Sequence, residues 1–509
     1  PPPMISRTSN MIAGSKTAQI ALIVIATLLV CTLGTWRSGF SQSEGHRVVP
    51  AWEMMETGDW LVPRMFGQLY LRKPPGMFWA IAGMSKVLGQ TEFAARSVSG
   101  LACLGMALGA WWFARRWFDP RLAIYAGLAQ ATLPLTWEMG RSAEIEALHA
   151  ACVQACALST LHLGLVCGRA KGSRGLVAAI VLCGVSLSAA LLVKGPAGAP
   201  VMVAAAIASI VVSREGKWGW LASLSTSYAI IAALIIAAPI VGAVLWLSWR
   251  GVPAGELPIV QGPGEFLWDR TKVLNIAGLV PIALATGMPV SLAILAVRWR
   301  RAITASDAAA LGLAATCVGS IVIAMAAGVA NPRYVIPSLM LPAPLVAFAL
   351  SGAEPFRRVA RGACVALLLG LVAGGIIYGE LSERARMGTG DRASGRDAGQ
   401  ALAEALVAQG ITGPIEIHAD GLIEARPEIL LAAQRHAAAK GLSLIPRWTP
   451  ATLRPLPGGT LVALRRDPEG DEIARLVKEG HLAVGAELPA TLFDGKVGRY
   501  RFEVFRIVR

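Results

Sequence analysis

The stretch TAQIALIVIATLLVCTLGTW, residues 17–36, decides the class of fold to which this chain belongs. A helix that crosses the hydrocarbon core of a bilayer needs roughly 20 mostly apolar residues in succession, and this stretch supplies them. Similar runs follow near residues 93–114, 122–139, 147–168, 175–193, 198–213, 219–248, 274–297, 307–328, 334–351 and 362–378. The sequence therefore predicts a polytopic α-helical membrane protein with about 11 transmembrane helices.

The overall composition agrees with a bilayer as the solvent of this chain. Of its 509 residues, 55% are hydrophobic and 16% are charged, and the mean hydropathy is +0.56. A net charge of +15 would favour a nucleic-acid partner in a soluble protein, but here the Lys and Arg residues lie between apolar runs. We therefore expect the lipid bilayer as a partner and no nucleic acid. All eight Cys lie in apolar runs, so no disulfide framework is predicted.

The distribution of basic residues predicts the orientation in the membrane. Cytoplasmic loops carry an excess of Lys and Arg. Basic clusters fall in every second loop, at Arg115/Arg116/Arg121, Arg169/Lys171/Arg174, Arg214/Lys217, Arg298/Arg300/Arg301 and Arg357/Arg358/Arg361, on the side of Arg7 and Lys16. We expect a multi-pass protein with a cytoplasmic N-terminus and an extracytoplasmic C-terminal domain. No cleavage site follows the first run, so it is expected to be a retained span.

Changes of composition divide the chain into three predicted parts. Residues 1–16 are predicted to form a cytoplasmic tail, and we expect its first three prolines to be an addition to the natural sequence. Residues 17–378 are predicted to form the transmembrane domain, which has a long outer loop at 37–92. Two helices are expected in this loop, one in GHRVVPAWEMMETGDW from Gly45 and one in GMFWAIAGMSKVLG from Gly76. A second long outer loop is expected at about 250–272. Residues 379–509 alternate short β-rich runs (PIEIHA, LSLIP, TLVALRR, YRFEVFRIV) with helical patterns near 392–409, 427–440 and 470–479, which predicts a soluble α/β domain.

Charged residues gather on the predicted outer face. They are Glu44, Glu53, Asp59, Lys73, Arg141, Glu144, Glu146, Lys194, Glu265, Asp269, Arg270 and Arg333. Charges at a membrane face are costly and often functional. For any single one of them, solvation of a helix or extension of the side chain to the lipid head groups is the commoner explanation.

Four segments give these residues a more specific meaning. The outer loop contains Glu53, Met54, Gly58 to Pro63 and the Lys73-Pro74-Pro75 triplet; later come Arg141 and Glu146 in GRSAEIEALHA, Lys194 and Gly195 in LVKGPAGAP, and Arg333, Tyr334 and Pro337 in NPRYVIPSLMLP. In this order they resemble the marked positions of the protein O-mannosyltransferase and lipid A aminoarabinose transferase families, which are GT-C glycosyltransferases (families 39 and 83). The resemblance does not extend over the last 130 or so residues.

The resemblance implies an enzyme that moves a sugar from a polyprenyl-phosphate carrier to a lipid, glycan or protein acceptor on the outer face. It also implies a bacterial inner membrane as the location, so that the outer face and the C-terminal domain are periplasmic. Lys73, Arg333, Tyr334, Lys194 and Arg141 are then expected to bind the substrate, because a phosphate leaving group needs fixed cations. Glu44 and Glu146 are the expected catalytic carboxylates, with His46 orienting Glu44. The acidic pair of the family is incomplete here: Ser43 replaces the expected Asp, which leaves Glu44 as the candidate base.

Two other functions remain open at this point. A non-catalytic homologue that binds the carrier lipid is consistent with Ser43, and a lipid-linked sugar transporter or flippase is consistent with many spans. Against a transporter, the charged residues gather on one face and not near the midplane. No cofactor is required by any motif, although Glu44 and Glu146 could hold a divalent cation.

Overall fold

A computed structural model describes residues 15–166, 174–213, 290–297, 304–327, 332–351, 356–387, 394–408, 410, 414–418, 423–424, 426–448, 460–465, 478, 482–487 and 501–507. The predicted span 219–248, most of the span 274–297, the loop 250–272 with Glu265, Asp269 and Arg270, and nearly all of the helical pattern 470–479 lie outside these residues. The chain divides into two compact units. The first, here the helical unit, comprises Pro1–Leu33, Leu71–Met77 and Arg96–Gly379, and the second, the mixed unit, comprises Gly34–Tyr70, Phe78–Ala95 and Glu380–Arg509.

The helical unit consists of α-helices joined by short 3-10 turns. Its α-helices are Lys16–Thr32, Glu92–Trp117 (from Arg96 onward), Ala123–Ala131, Pro134–Met139, Ile145–Val166, Arg174–Lys194, Ala199–Val212, Ala305–Ala326, Ile336–Met340, Leu345–Ala349 and Phe356–Met387 (to Gly379). Its 3-10 turns are Gly195–Gly198, Val290–Ala296 and Pro332–Tyr334.

Helix ends follow local signals in the sequence. Thr304 and Asp307 form a capping box, in which the Thr304 hydroxyl accepts from the Asp307 amide at 3.1 Å and the Asp307 carboxylate accepts from the Thr304 amide at 3.0 Å. These bonds satisfy backbone donors that the first helical turn leaves unpaired. The predicted span 122–139 is interrupted at Thr132 and Leu133, because Pro134 disfavours helical backbone in the residue before it. The predicted span 334–351 is likewise two short helices, separated by a segment with two prolines.

Small residues let the long helices of this unit approach closely. A β-carbon built on Gly164 would lie 2.3 Å from the Ser209 hydroxyl, so only glycine fits between helices Ile145–Val166 and Ala199–Val212. The Ser209 hydroxyl in turn donates to the Thr160 carbonyl at 3.0 Å. Small residues and interhelical hydroxyl bonds are typical of helix packing within membranes, where burial of apolar surface provides little driving force.

The outer surface of these helices is apolar. In the described part of the chain, five segments are long and apolar enough to cross a membrane: Glu92–Trp117, Ile145–Val166, Gly175–Val212, Ala305–Ala326 and Val359–Met387. The last exposes large apolar side chains, among them Leu369 at 65%. Lipid and not water is the solvent that such a surface requires. The chain is therefore a polytopic helical membrane protein, and the number of 11 spans stays a prediction.

The mixed unit contains both helices expected in the first outer loop. Gly45–Thr57 and Gly76–Leu88 (from Phe78 onward in this unit) are α-helical, and the 3-10 turn Gln42–Glu44 precedes the first of them. Helix Gly45–Thr57 buries Val48 and Trp52 and ends at Gly58, whose φ of 72° is the left-handed conformation that favours glycine. The Trp52 indole donates to the Ser85 hydroxyl at 2.9 Å, which joins the two helices.

Among its described residues, the C-terminal part of the mixed unit contains helices Gly395–Ala408 and Pro427–Ala439 and a five-stranded sheet. In spatial order the strands are Leu444–Arg447, Ile415–His418, Thr460–Arg465, Arg501–Ile507 and Leu482–Glu487. The first three are mutually parallel and the last two pair antiparallel to their neighbours. Four of these strands lie in the β-rich runs that the sequence predicts, and Leu482–Glu487 was not predicted.

Candidate functional site

A buried ion pair joins two helices of the helical unit. Glu146 lies in the first turn of helix Ile145–Val166, and Lys194 is the last residue of helix Arg174–Lys194. The Lys194 ammonium donates to Glu146 Oε1 at 3.1 Å, and the two side chains are only 6% and 9% exposed. In a low dielectric this attraction is strong, and its partners are costly to separate.

A third segment adds a second cation and an aromatic ring. Arg333 and Tyr334 lie in the 3-10 turn Pro332–Tyr334. One Arg333 nitrogen is 4.0 Å from Glu146 Oε1, and the Lys194 ammonium lies 5.0 Å from the centre of the Tyr334 ring. The structure thus brings together four of the predicted site residues from three distant segments. Arg333 is 59% exposed, so this cluster has a deep cation and a shallow one.

His149 belongs to the same cluster but was missed from the sequence. It follows Glu146 by three residues, so both side chains lie on one face of the helix. It is 1% exposed, and its Nε2 has no hydrogen-bond partner among the described residues. A β-carbon on Gly198 would come within 3.3 Å of that nitrogen. The spacing from Glu146 was the only sequence signal that could have indicated His149.

The Lys-Pro-Pro segment is held against the helix that carries Lys194. Gly76 follows Lys73 by three residues, and a β-carbon on it would lie 2.7 Å from the Leu192 carbonyl oxygen. This contact fixes the segment beside the end of helix Arg174–Lys194, two residues before Lys194. Lys73 itself is half-buried.

Arg141 occupies a structural position at the end of the first helix. Its guanidinium donates to the carbonyls of Val30 at 3.1 Å and Leu33 at 2.7 Å, and the residue is 1% exposed. Basic groups at a helix C-terminus satisfy carbonyls that lack intrahelical partners. These contacts account for a buried arginine without a substrate, and its expected role in substrate binding stays a prediction.

Glu44, the expected base, lies in the mixed unit. It is 1% exposed, and its carboxylate accepts a hydrogen bond from the Ser41 amide at 2.9 Å. His46 does not orient it through the ring atom Nε2, which bonds to the Glu424 carbonyl at 2.8 Å. Since a carbonyl only accepts, Nε2 of His46 carries the proton. Glu44 is thus used in capping the turn before its helix, and its catalytic role stays a prediction.

The cluster around Glu146 is suited to hold an anion. Two cations, the buried Lys194 and the exposed Arg333, lie beside the Glu146 carboxylate, and closely placed cations are the groups that bind phosphate in proteins. Among the residues that the structure describes, no group of three or more His, Cys, Asp or Glu side chains is placed to hold a metal ion. The possible divalent cation stays a prediction.

Comparison with known proteins supports a glycosyltransferase likeness in sequence. Residues 72–246 match the family model described as dolichyl-phosphate-mannose-protein mannosyltransferase. The undecaprenyl phosphate-alpha-4-amino-4-deoxy-L-arabinose arabinosyl transferase of Edwardsiella ictaluri is 29% identical over 166 residues, which are 32% of this chain and 29% of the relative. The enzyme of the same name from Aeromonas hydrophila is 29% identical over 193 residues, 37% of this chain and 33% of the relative. The chain thus matches about a third of the length of these curated relatives.

Comparison of folds extends the likeness to nearly the whole chain. The crystal structure of ArnT from Cupriavidus metallidurans bound to undecaprenyl phosphate superposes with a TM-score of 0.62 at 18% sequence identity, covering 96% of this chain and 98% of that one. At this identity the match shows the fold alone. Taken with the sequence matches, it confirms the resemblance: the chain has the fold of the GT-C glycosyltransferases of the lipid A aminoarabinose transferase type.

Proposed function

We propose that this protein is a membrane glycosyltransferase that transfers a sugar from a polyprenyl-phosphate carrier to a lipid, glycan or protein acceptor on the outer face of the membrane. The observation that carries the proposal is the cluster of Glu146, Lys194, Arg333 and Tyr334. The names of the matched relatives, which include undecaprenyl phosphate, support that lipid phosphate as the carrier.

The charges of the cluster explain how it would hold a carrier phosphate. Glu146 holds the Lys194 ammonium in one position, so this cation is already oriented before a substrate arrives. The Arg333 guanidinium lies 4.0 Å from the same carboxylate and is 59% exposed, so it is accessible to an incoming phosphate. The Tyr334 ring beside Lys194 excludes water on one side and strengthens the field of the ammonium.

The reaction requires a leaving-group stabiliser and a base. An acceptor oxygen forms a bond to the anomeric carbon, and the bond from that carbon to the phosphate oxygen breaks. The phosphate leaves with the electron pair, and Lys194 and Arg333, with Lys73, stabilise its charge. The acceptor proton passes to a carboxylate, for which Glu44 stays our candidate.

Carrier binding by cluster variants tests this function directly. We expect Lys194→Gln and Arg333→Gln to weaken the binding of undecaprenyl phosphate by about tenfold or more, since a hydrogen bond to a charged group contributes roughly 1.5–3 kcal/mol. Lys86→Gln is the matched control, because Lys86 is exposed and stacks on the Trp60 ring. Unchanged binding in both cluster variants would show that the phosphate binds elsewhere.

A non-catalytic protein that binds the carrier is the second candidate. The observation in its favour is that Glu44 is buried and hydrogen-bonded to the Ser41 amide. In addition, Ser43 stands where the family's acidic pair has an Asp. A single-turnover assay with a labelled sugar donor separates the two functions. Carrier binding without release of the sugar, with every acceptor class tested, would favour this second candidate.

We also propose the orientation predicted from the basic loops. The N-terminus is cytoplasmic, and the C-terminal residues 379–509 are a periplasmic α/β domain whose strands and helices support that assignment. Cysteine labelling with a membrane-impermeant reagent tests it. A cysteine introduced at the exposed position Lys440 should react with the reagent in intact spheroplasts. Labelling that occurs only after lysis would contradict this orientation.

A further inference from the structure

The mixed unit contains a cavity that the proposed reaction does not use. Its volume is about 320 Å3, and it lies between helices Gly395–Ala408 and Pro427–Ala439 and the segment around Phe40. Such a volume is that of a small-molecule site. Its polar lining residues are Glu92, Arg396, Gln400, Glu428, Arg435 and His436.

Two arginines on neighbouring helices are fixed at this cavity. Arg396 donates to Glu92 Oε1 at 2.8 Å and to the Arg37 carbonyl at 3.0 Å. The Arg435 guanidinium lies 4.2 Å from the centre of the Trp52 ring and donates to the Gln90 carbonyl. A guanidinium has five donors, so each retains several for a ligand. These contacts restrict both side chains, which lowers the entropic cost of binding.

A buried carboxyl group completes the lining. Glu428 is 2% exposed, and its Oε2 has no hydrogen-bond partner among the described residues, whereas Oε1 accepts from Arg426. Glycines surround it closely: a β-carbon on Gly45 would lie 2.9 Å from Oε2, and one on Gly395 would lie 2.6 Å from its Cγ. An unsatisfied buried polar atom costs free energy, so a partner for Oε2 is expected.

We propose that this cavity is a binding site for a phosphate monoester, in which Arg396 and Arg435 hold the phosphate oxygens and the protonated Glu428 carboxyl donates a hydrogen bond to one of them. A phosphate offers several acceptors to the two planar guanidinium groups, which are the side chains best matched to it. This binding does not depend on the cluster of Glu146, Lys194 and Arg333, because that cluster belongs to the helical unit and the cavity residues belong to the mixed unit.

The protonation of Glu428 makes the binding depend on pH. The pKa of this carboxyl is raised from 4.5 to about 7, mainly because the group is buried; Arg426 opposes the shift, and the nearby Glu44 adds a smaller contribution to it. The other charged groups at the cavity are Arg396, Arg435, His436 and Glu92. A phosphate beside an ionised Glu428 would be repelled, so binding is coupled to uptake of a proton.

Calorimetry on the full-length protein in detergent, with glycerol 1-phosphate as the free ligand, tests the site. We expect binding that strengthens from pH 8 to pH 6, and a loss of about tenfold or more in Arg396→Gln/Arg435→Gln, since bonds to charged groups are among the strong ones. Glu428→Gln should bind with much less pH dependence. Arg447→Gln is the control, because Arg447 is a half-exposed arginine of the same unit outside the cavity and should leave binding unchanged.

A second measurement needs no variant to fold. Phenylglyoxal modification of the wild-type protein, read by mass spectrometry, should be slowed by glycerol 1-phosphate at Arg396 and Arg435 but not at Arg447. Nanodiscs with phosphatidic acid or phosphatidylcholine distinguish the sources: protection by phosphatidic acid alone indicates a lipid head group, and protection by glycerol 1-phosphate indicates a free ester. Equal modification with and without both ligands would overturn the proposal.

Discussion

The ion pair between Glu146 and Lys194 should be strongly coupled, because both side chains are almost fully buried. At 3.1 Å the attraction is about 5 kcal/mol with an effective dielectric constant of about 20. Removing one partner leaves the other charge buried, so we expect Lys194→Met to lower the free energy of unfolding by about 3–5 kcal/mol. Arg333 compensates little, because it is 59% exposed and such pairs contribute at most about 1 kcal/mol.

A double-mutant cycle measures this coupling. Glu146→Gln/Lys194→Met removes both charges, so its loss should be smaller than the sum of the single losses by at least about 1 kcal/mol. Unfolding of the protein in mixed micelles by increasing SDS, followed by tryptophan fluorescence, provides the free energies. The matched control is Arg384 and Glu380, which are also 3.1 Å apart but 71% and 39% exposed. Their coupling should be much smaller than that of the buried pair, because solvent screens exposed charges.

Stability and ligand binding should change in opposite directions in one of these variants. Glu146→Gln loses stability, but the glutamine oxygen can still accept from Lys194 and hold it in position. Because the negative charge beside the two cations is removed, undecaprenyl phosphate should bind at least as tightly as before. Lys194→Met should lose both stability and binding. Coupling no larger than that of the control pair, or weaker carrier binding in Glu146→Gln at equal folded fraction, would refute this account of the cluster.

Three further outcomes are expected. Gly76→Ala places a β-carbon 2.7 Å from a backbone oxygen, so it should lower the free energy of unfolding by about 1–3 kcal/mol and weaken carrier binding. Gly83→Ala, whose β-carbon would meet nothing within 4 Å, should stabilise the same helix by up to about 1 kcal/mol. Equal unfolding midpoints of the two variants would contradict this. Glu44→Gln should lower the rate of sugar transfer roughly a hundredfold and leave carrier binding unchanged. Its control is Glu56→Gln, which changes an exposed glutamate and should keep the full rate. A full transfer rate in both variants would exclude Glu44 as the base. Because the pKa of Glu428 is raised from 4.5 to about 7, the folded protein holds that proton more tightly than the unfolded chain, and up to about 3 kcal/mol of stability is lost as pH rises through this window. The unfolding midpoint of Glu428→Gln relative to wild type should therefore rise between pH 5 and pH 8, and a constant difference would count against the buried titration.

The membrane environment of this protein and most of its described helices and strands could be predicted from local sequence patterns. Apolar runs such as 17–36 and 147–168 are local patterns, and a bilayer requires each run to satisfy its own backbone within a helix. Helices Lys16–Thr32 and Ile145–Val166 accordingly lie where the sequence predicts them. Four of the five strands of the sheet were likewise visible as short β-rich runs. The breaks near Pro134 were underestimated, because hydropathy reports apolar character and not the missing amide of proline.

Which of the charged residues lie together depends on tertiary packing and could not be predicted from local sequence patterns. Lys194 and Glu146 are 48 residues apart in the chain, and no local pattern indicates that the end of one helix meets the start of another. The resemblance supplied both residues, but not their ion pair, nor His149 beside it. The same holds for the first outer loop and the C-terminal helices, which share one unit in which Gly45 packs against Glu428. The physical reason is that helix and strand formation depend on neighbours along the chain, whereas the environment of a charge depends on neighbours in space, which packing alone brings together.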